Sequence, residues 1–272
     1  MQDIQKYRKI KSNLSWQYII RKQKEDEEKL FTPFEPKNVQ LKNSTIKLIE
    51  RKDCISIIKN YEYLGCLPAF SKYHFGIYFN IDGHTYLGGV VIYGDDYSTN
   101  LGHWDKYNFT SDPLLLSRGA CVWWTPKNTA SYFISRANDW ICKNTKYRIV
   151  TATVDKSANE IGIIYQSLNW HYLGSLRASN PKVKSNGKRF AVIINGKLYG
   201  ARSIRNKLGT QKKAVILEKY PNAIFTFQYE KQRYFTFLGT KKERKLNFNG
   251  IKHLVKPYPK KMGVIIDRQN KF

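Results

Sequence analysis

The chain has 272 residues, of which 42% are hydrophobic and 14% aromatic, and this composition excludes intrinsic disorder. It has no run of about 18 apolar residues, which excludes a membrane-spanning helix, and its first residues lack the apolar stretch of a secretory signal. The formal net charge is +26, so a strongly anionic partner is expected. The four cysteines form no C-x-x-C pair and lie in apolar surroundings, which predicts reduced, buried thiols in a cytoplasmic protein.

Residues 1–45 are predicted to form an N-terminal helical extension. Within it, residues 14–30 carry apolar side chains at helical spacing, including Trp16, Ile19 and Ile20. The two prolines in residues 31–36 then end the helix. This segment is interpreted as an adaptor that precedes the main domain.

Residues 46–176 have the order of elements typical of a mixed α+β domain. Strands are predicted at residues 45–50, 74–81, 85–93, 114–124, 148–154 and 170–174, with helices after Asp53, at residues 130–143 and at residues 161–168. The pair Asp82-Gly83 is typical of a tight hairpin turn. The nearly continuous apolar run of residues 114–124 indicates a strand buried on both faces. Together these features predict a Gcn5-related N-acyltransferase-like fold, with a mixed central sheet flanked by helices.

Residues 177–272 form a third, strongly basic region with 24 Lys and Arg residues against 4 Asp and Glu residues. Strands are predicted at residues 189–195, 197–200, 224–229 and 233–238, and helices at residues 201–208, 210–220 and from Thr240. Clustered positive charge is typical of nucleic-acid binding, because each neutralised phosphate releases condensed counterions. An anionic membrane surface is the weaker alternative, since the region has no long basic amphipathic helix. We therefore predict a basic α+β extension that binds double-stranded DNA.

The candidate nucleic-acid contacts are basic side chains on the predicted helices: Arg202, Arg205, Lys207, Lys212, Lys213, Lys241 and Lys242. An enzyme that acts on a base must also extrude it from the stacked duplex or take it from a single strand. Trp104, in the polar segment of residues 104–107, is the candidate for an exposed surface on which such a base stacks. The sequence leaves the oligomeric state open, a homodimer included.

The clearest functional signal lies in residues 155–175. Asp155 follows a β-rich run, a short helix carries Tyr165 on its apolar face, and a second strand begins at Trp170. Acyltransferases of the Gcn5-related fold build their reacting centre from this strand, acidic turn, helix and strand. The wording IYQSLNWHYLG also resembles the Mom family of bacteriophage proteins, which modify adenine and protect phage DNA from host nucleases.

The resemblance implies an enzyme of a phage-infected bacterial cell, a transferase that appends a glycine-derived group, carbamoylmethyl or glycyl, to N6 of adenine. The positions that match the family's site residues are Tyr73, His74, Arg118, Ser131, Asp155 and Tyr165. In this reading, Asp155 or His74 accepts the proton of the nucleophile and Tyr165 protonates the leaving group. Arg118 or Ser131 binds the donor or stabilises developing negative charge. Each residue also has a purely structural alternative, such as an ion pair, a helix cap or a place in the core.

The identity of the acyl donor stays open at the level of sequence. In the Gcn5-related fold the loop after the central strand binds the pyrophosphate of coenzyme A through an R/Q-x-x-G-x-G/A pattern, yet residues 125–131 contain no glycine. The backbone amides of Ala130 and Ser131, with the charge of Lys127, still suit an anion. The donor candidates are acyl-CoA and an aminoacyl-tRNA such as glycyl-tRNA. An iron site made from Tyr73, His74, Asp155 and Tyr165 is a further hypothesis.

Two other functional classes remain compatible with the sequence. One is an acetyl-CoA-dependent enzyme that acetylates an RNA base or an amine. The other is a non-catalytic DNA-binding protein that blocks restriction nucleases. The glycine-free loop disfavours the first alternative, whereas the second requires that Asp155 and Tyr165 be dispensable.

Overall fold

The computed structural model of the chain describes residues 15–96, 104–175, 188–195, 197–229 and 231–260. Within these ranges, no helix combines the length and the apolar character that crossing a membrane requires. The helices are α1 (Trp16–Glu28), α2 (Cys54–Tyr61), α3 (Thr129–Asn144), α4 (Ile163–Ser167), α5 (Ala201–Leu208), α6 (Lys213–Lys219) and α7 (Lys241–Ile251). The strands are β1 (Ser44–Leu48), β2 (Tyr73–Ile81), β3 (His84–Asp95), β4 (Leu114–Cys121), β5 (Ile149–Val154), β6 (His171–Gly174), β7 (Lys188–Ile194), β8 (Lys197–Gly200), β9 (Ile224–Tyr229) and β10 (Gln232–Phe237).

Local sequence signals explain several of these boundaries. Asp82 and Gly83 both have positive φ, 50° and 79°, as the predicted tight turn between β2 and β3 requires. At the start of α7, Thr240 Oγ1 accepts a hydrogen bond from the Glu243 amide at 3.2 Å. The Glu243 carboxylate in turn accepts one from the Thr240 amide at 2.7 Å. This reciprocal capping box fixes the first turn of α7.

A seven-stranded mixed sheet, in the order β1-β2-β3-β4-β5-β10-β6, is the main sheet of the described residues. All neighbouring strands run antiparallel except β4 and β5, which are parallel. Helices α2 and α3 pack on opposite faces of the strands β2–β4, each over its own apolar cluster. The predicted α+β fold class, a mixed central sheet flanked by helices, is confirmed.

The parallel pair in the middle of the sheet is short. Residues 114–116 of β4 pair with residues 150–152 of β5, and no further β4–β5 pair follows among the described residues. Beyond that point β4 continues along β3 to Cys121, with a register shift opposite Ile92 and Tyr93, and β5 continues along β10 to Val154. A gap therefore opens between β4 and β5 at their carboxyl ends.

Strand β10 lies between β5 and β6, although it comes last in the chain. The segment between β6 and β10 contains a separate three-stranded sheet in the order β8-β7-β9, together with α5 and α6. Residue 176, the predicted boundary of the basic extension, lies outside the described residues. The main sheet nevertheless takes one strand from beyond it, because antiparallel pairing with β5 and β6 places β10 away from its neighbours in sequence.

The face of β5, β10 and β6 that α7 covers is aromatic. Trp104 is 4% exposed there, and its ring packs against Phe235 of β10 with centroids 5.4 Å apart. Tyr107 and Ile251 belong to the same buried cluster. Trp104 is therefore not the exposed stacking surface predicted from the sequence. The prediction was wrong because it relied on the polar residues next to Trp104 in sequence. The strand that buries Trp104 lies about 130 residues further along the chain.

A buried ion pair anchors β10. The Asp96 carboxylate, whose side chain is 2% exposed, pairs with Arg233 of β10 and accepts a hydrogen bond from Thr151 Oγ1 of β5 at 2.8 Å. The neighbouring residue Asp95 pairs with Lys72 at 2.7 Å, but those side chains are 48% and 43% exposed. These adjacent carboxylates thus form one buried and one solvated ion pair.

We expect Asp96→Ala to lower the free energy of unfolding by about 3–5 kcal/mol, because it removes the buried carboxylate that pairs with the Arg233 guanidinium. Asp95→Ala, the matched control, should lower it by less than about 1 kcal/mol. Urea unfolding of both variants at neutral pH measures the difference. Equal losses would contradict the role given to the buried pair.

Candidate active site

Polar and ionisable side chains collect at the gap between β4 and β5. They are Glu62, Tyr63, Arg118, Asp155, Glu160 and Tyr165. Arg118 comes from β4, whereas Asp155 and Glu160 follow β5. Because the carboxyl ends of parallel strands meet at one edge of a sheet, the turn after β5 and the start of α3 lie at this same edge. The gap is the candidate active site.

The turn after β5 is shaped by a glycine packed against an aromatic ring. Gly162 has φ +75°, and a Cβ at this position would lie 2.5 Å from the Tyr234 ring. Only glycine fits both constraints. The Tyr234 hydroxyl also donates a hydrogen bond to the Ile161 carbonyl at 2.6 Å. This turn brings the first residues of α4 over the gap.

Tyr165 on α4 is held by two aromatic rings. Its ring centroid lies 5.0 Å from that of Trp170 and 5.4 Å from that of Tyr234. Gln166 fixes the same helix, since its Nε2 donates to the Ile161 carbonyl at 2.9 Å and to the Tyr234 hydroxyl at 3.0 Å. The phenol therefore has a defined place at the gap.

The turn after α2 supplies a buried carboxylate from the other face of the sheet. Glu62 is 7% exposed and accepts hydrogen bonds from the backbone amides of Leu64 at 2.8 Å and Gly65 at 3.1 Å. Its Oε2 lies 4.0 Å from Arg118 Nε, which donates to the Cys66 carbonyl at 3.0 Å. Arg118 is thus half of an ion pair, as its structural alternative required, and it also lies in the candidate site.

Burial and mutual repulsion raise the proton affinity of the acids. Burial, reinforced by the charges of Glu62 and Asp155, raises the pKa of Glu160 from 4.5 to about 7. Burial also raises the pKa of Glu62, although Arg118 and the two backbone amides oppose it. The pKa of Tyr165 is raised well above its ordinary value, first by burial and then by Glu160, so its hydroxyl stays protonated at neutral pH. The gap lets Glu62 and Tyr165, from opposite faces of the sheet, influence each other.

The structure places Arg118, Asp155 and Tyr165 at the same gap, together with Glu62, Tyr63 and Glu160, which sequence reasoning missed. Glu160 had a readable signal, because it lies in the same acidic turn as Asp155. Glu62 and Tyr63 had none, since their proximity to the turn depends on how α2 packs over the sheet.

Tyr73 and His74 do not join this cluster. Tyr73 packs on the α3 side, where its ring centroid lies 5.9 Å from that of Trp140. Neighbouring residues of a strand point to opposite faces, so His74 lies on the other side, with Nε2 2.8 Å from Ser71 Oγ. Burial, with the charge of Arg51, lowers the pKa of His74. His74 is therefore not placed to act as the base.

The iron hypothesis required Tyr73, His74, Asp155 and Tyr165 around one ion. Strands β3 and β4 lie between β2 and the gap, and the first two side chains face opposite ways. In the part of the chain that the structure describes, no group of three His, Cys, Asp or Glu residues could hold a metal ion. The structure gives this hypothesis no support.

The glycine-free loop before α3 keeps features of an anion site. Asn128 adopts the left-handed conformation, φ +67°, that a glycine would supply at no cost. The first intrahelical bond runs from the Tyr132 amide to Asn128 at 3.0 Å, so the amides of Ala130 and Ser131 precede the hydrogen-bonded ladder. Lys127 is exposed beside them. The Ser131 hydroxyl, in contrast, donates to the Asn128 carbonyl at 3.0 Å and stabilises the loop itself.

The predicted nucleic-acid contacts lie on exposed helices. Arg205, Lys207, Lys212 and Lys213 are exposed on or beside α5 and α6, and Lys241 and Lys242 are exposed at the start of α7. Arg202 belongs to α5, but its side chain lies outside the described residues. The insertion that carries α5 and α6 also contains the three-stranded sheet β8-β7-β9. Strand β9 of this sheet contacts the 3-10 turn Lys156–Ala158, which follows Asp155. The basic insertion therefore adjoins the acidic turn of the candidate site.

We expect Glu160→Gln to stabilise the protein in a pH-dependent way. A carboxyl whose pKa rises from 4.5 to about 7 on folding costs stability as pH increases through that window, and glutamine removes the cost. The free energy of unfolding should therefore rise by roughly 1–3 kcal/mol at pH 8 and change little below about pH 4.5. Calorimetric Tm values between pH 4 and 8 test this.

Glu35→Gln, which changes an exposed carboxylate paired with Lys37, is the matched control and should show no such trend. A Glu160→Gln variant less stable than the parent protein at pH 8 would contradict the assignment of a raised pKa.

Similarity to individual known proteins is weak. A search of curated protein sequences gives no match. Among solved structures, NAA60 of Arabidopsis thaliana in complex with acetyl-CoA aligns with a TM-score of 0.42 and 11% identity over 71% of this chain and 98% of that chain. An N-acetyltransferase from Staphylococcus aureus Mu50 gives 0.37 and 10% over 71% and 97%, and the spermidine/spermine N-acetyltransferase SpeG of Vibrio cholerae gives 0.36 and 14% over 72% and 93%. Likeness at this level says nothing about substrate or donor.

The family comparison is more extensive. A model of the Mom protein family matches residues 43–260, from the start of the main sheet to the segment that follows α7. The match includes both the acidic turn after β5 and the basic insertion. Because it covers most of the chain, this protein belongs to the Mom family.

Proposed function

We propose that this protein is a transferase that modifies adenine in DNA by appending a glycine-derived group, carbamoylmethyl or glycyl, to N6. The observation that carries the proposal is the cluster at the gap, where a carboxyl with a pKa of about 7 lies near a protonated tyrosine in a chain of the Mom family. Such a pair of groups with separated pKa values suits proton removal at one atom and proton delivery at another.

Glu160 is the proposed general base. The N6 amino group of adenine is a poor nucleophile because its lone pair is delocalised into the ring, so a proton acceptor must assist its attack. A base is most effective when its pKa lies near the operating pH, and the pKa of Glu160 is about 7. As the new bond to N6 forms, the N6 proton passes to the Glu160 carboxylate. Asp155 and Glu62 contribute by keeping that pKa high.

Tyr165 and Arg118 are assigned to the other side of the reaction. Tyr165 keeps its proton at neutral pH and can deliver it to the leaving atom of the donor as the old bond breaks. Arg118 Nε donates a hydrogen bond to the Cys66 carbonyl at 3.0 Å, and its Nη1 donates one to the Ser117 carbonyl at 2.6 Å. No described residue accepts a hydrogen bond from its Nη2, which suits it to developing negative charge on the transferred group.

The donor is proposed to bind at the start of α3. The amides of Ala130 and Ser131, with the Lys127 ammonium, would hold a phosphate of the donor. The donor supplies an activated carbon together with its leaving group. Acyl-CoA and an aminoacyl-tRNA such as glycyl-tRNA both carry such phosphates, so the loop suits either.

Double-stranded DNA is the proposed acceptor substrate. The exposed cations of α5 and α6 suit contacts to phosphates, which set register without reading sequence. The contact between β9 and the turn after Asp155 would place the bound duplex near the gap. The target base must then leave the stack to reach Glu160.

Mass spectrometry of nucleosides from plasmid DNA tests the proposal. Cells that express the protein should yield an adenine nucleoside heavier by a glycyl-sized group. Glu160→Gln should lower its amount by about 100-fold or more, because it removes the base, and Tyr165→Phe should lower it by at least about tenfold. Glu35→Gln is the control and should modify DNA as the parent protein does.

Unmodified DNA in cells that contain abundant folded protein would overturn the proposal. A non-catalytic protein that blocks nucleases would in addition protect the plasmid equally well after Glu160→Gln and Tyr165→Phe. Plasmid survival after restriction digestion therefore separates the two functions.

The donor is tested by treating an in vitro reaction with ribonuclease. An N6-glycyl amide and a carbamoylmethyl group are isomers of the same mass, so the mass of the product does not distinguish them. The mass therefore gives no information about which donor supplied the group. If an aminoacyl-tRNA supplies the group, ribonuclease should abolish formation of the modified nucleoside. Undiminished modification after complete RNA digestion would exclude tRNA and leave acyl-CoA as the donor.

A further inference from the structure

Helix α1 lies outside the region that the family model matches, yet it contacts the turn that carries Glu62 and the connection that leads to the proposed donor loop. The match begins at residue 43, whereas α1 spans Trp16–Glu28. Ile19 and Ile20 of α1 are 4% and 2% exposed, so the helix is docked on the domain. Its polar side chains reach the turn after α2 and the connection between β4 and α3.

The first contact brackets the buried acid Glu62. The Gln17 side chain donates a hydrogen bond through Nε2 to the Tyr61 carbonyl. Its Oε1 accepts one from the Tyr63 amide at 3.3 Å. One amide side chain therefore holds the backbone on both sides of Glu62. This arrangement fixes the position of the turn that carries Glu62 and Tyr63 into the gap.

The second contact holds the connection that leads to the donor loop. Arg21 Nη2 donates to the Trp123 carbonyl at 2.9 Å and to the Thr125 carbonyl at 2.7 Å. Arg21 Nε adds a bond to the Trp123 carbonyl at 3.3 Å. Arg21 Nη2 also donates to Thr125 Oγ1 at 3.2 Å. Among the described residues, no carboxylate lies within ion-pair distance of Arg21, and the hydrogen bonds of its guanidinium all go to this connection. The planar fork of arginine suits two carbonyl groups at once.

A third side chain of α1 joins the two segments to each other. The Glu28 carboxylate accepts a hydrogen bond from the Tyr61 hydroxyl and another from Trp123 Nε1 at 3.2 Å. The turn with Glu62 and the connection before α3 are thus tied to one helix at three points. A shift of α1 would move Glu62 relative to the proposed donor loop.

We propose that α1 is part of the catalytic unit and that Gln17 and Arg21 are positioning residues, which set the placement of the Glu62 turn relative to the donor loop. This inference rests on the proposed function. Neither residue touches the reacting groups, so each acts through the backbone that it holds. Displacements of about 1 Å in a reacting geometry can lower a rate by up to about 100-fold.

The experiment compares Gln17→Ala, Arg21→Ala and Lys22→Ala in the chain of 272 residues. Lys22 is the matched control, because it neighbours Arg21 but is exposed, and among the described residues its ion-pair partner is Glu25, at 2.5 Å. We expect Gln17→Ala and Arg21→Ala to lower modified adenine per folded protein by about tenfold, and Lys22→Ala to leave it unchanged. Arg21→Lys, which retains the charge and one bond to a carbonyl, should recover part of the loss.

Equal modification by Arg21→Ala and Lys22→Ala would overturn the inference. So would a loss that disappears once modification is divided by the amount of folded protein, because that is the result of a purely stabilising helix.

A second readout does not depend on activity. The amides of Leu64 and Gly65 are bonded to Glu62, so their hydrogen exchange reports on the turn that Gln17 holds. Gln17→Ala should speed this exchange by about tenfold at unchanged global stability, whereas Lys22→Ala should not. If the parent protein makes no modified nucleoside, the proposed function fails. If the amides of Leu64 and Gly65 exchange in Gln17→Ala as slowly as in the parent protein, the positioning role is overturned, whereas the proposed function is not affected.

Discussion

In the part of the chain that the structure describes, strands β4 and β5 pair only over residues 114–116 and 150–152, and the gap beyond this short ladder determines where the groups of the candidate site lie. In a fully paired sheet, Glu62 on the α2 side and Tyr165 on the α3 side would be separated by backbone. Here the strands part, and the pKa of Tyr165, which burial raises most, is raised further by the charge of Glu62 on the other face. Because β4 and β5 are parallel, the turn after β5 and the start of α3 also lie at the edge where the gap opens. The chemistry that we propose depends on this opening.

Strand β10, which comes late in the sequence, pairs with β5 on the side away from the gap. Its Tyr234 fills the space that a side chain at position 162 would occupy, and its Arg233 pairs with the buried Asp96. The C-terminal third therefore contributes more than positive charge, because it completes the main sheet. The insertion between β6 and β10 then brings a basic surface next to the acidic turn.

The surrounding structure holds the carboxylates of the cluster close together, although they are buried and repel one another. Burial and neighbouring carboxylates disfavour the charged form of Glu160, which suits it to the proposed role of base at neutral pH and also costs stability there. Arg118 and the amides of Leu64 and Gly65 offset part of the same cost for Glu62. Helix α1 holds the backbone of the adjoining segments through Gln17, which bonds to Tyr63, and Arg21, which bonds to Trp123. The surrounding fold thus maintains a site that is unfavourable in isolation.

The sequence by itself determined the elements and those parts of the site that are close along the chain. Asp155, Glu160 and Tyr165 lie within one turn and one helix, so their proximity follows from local structure, and the hairpin at Asp82-Gly83 follows from backbone preferences. Tertiary structure alone decided the place of β10, the burial of Trp104 and the approach of Glu62 to the gap. Periodicity shows that a strand or helix has an apolar face, but it does not show which distant element covers that face.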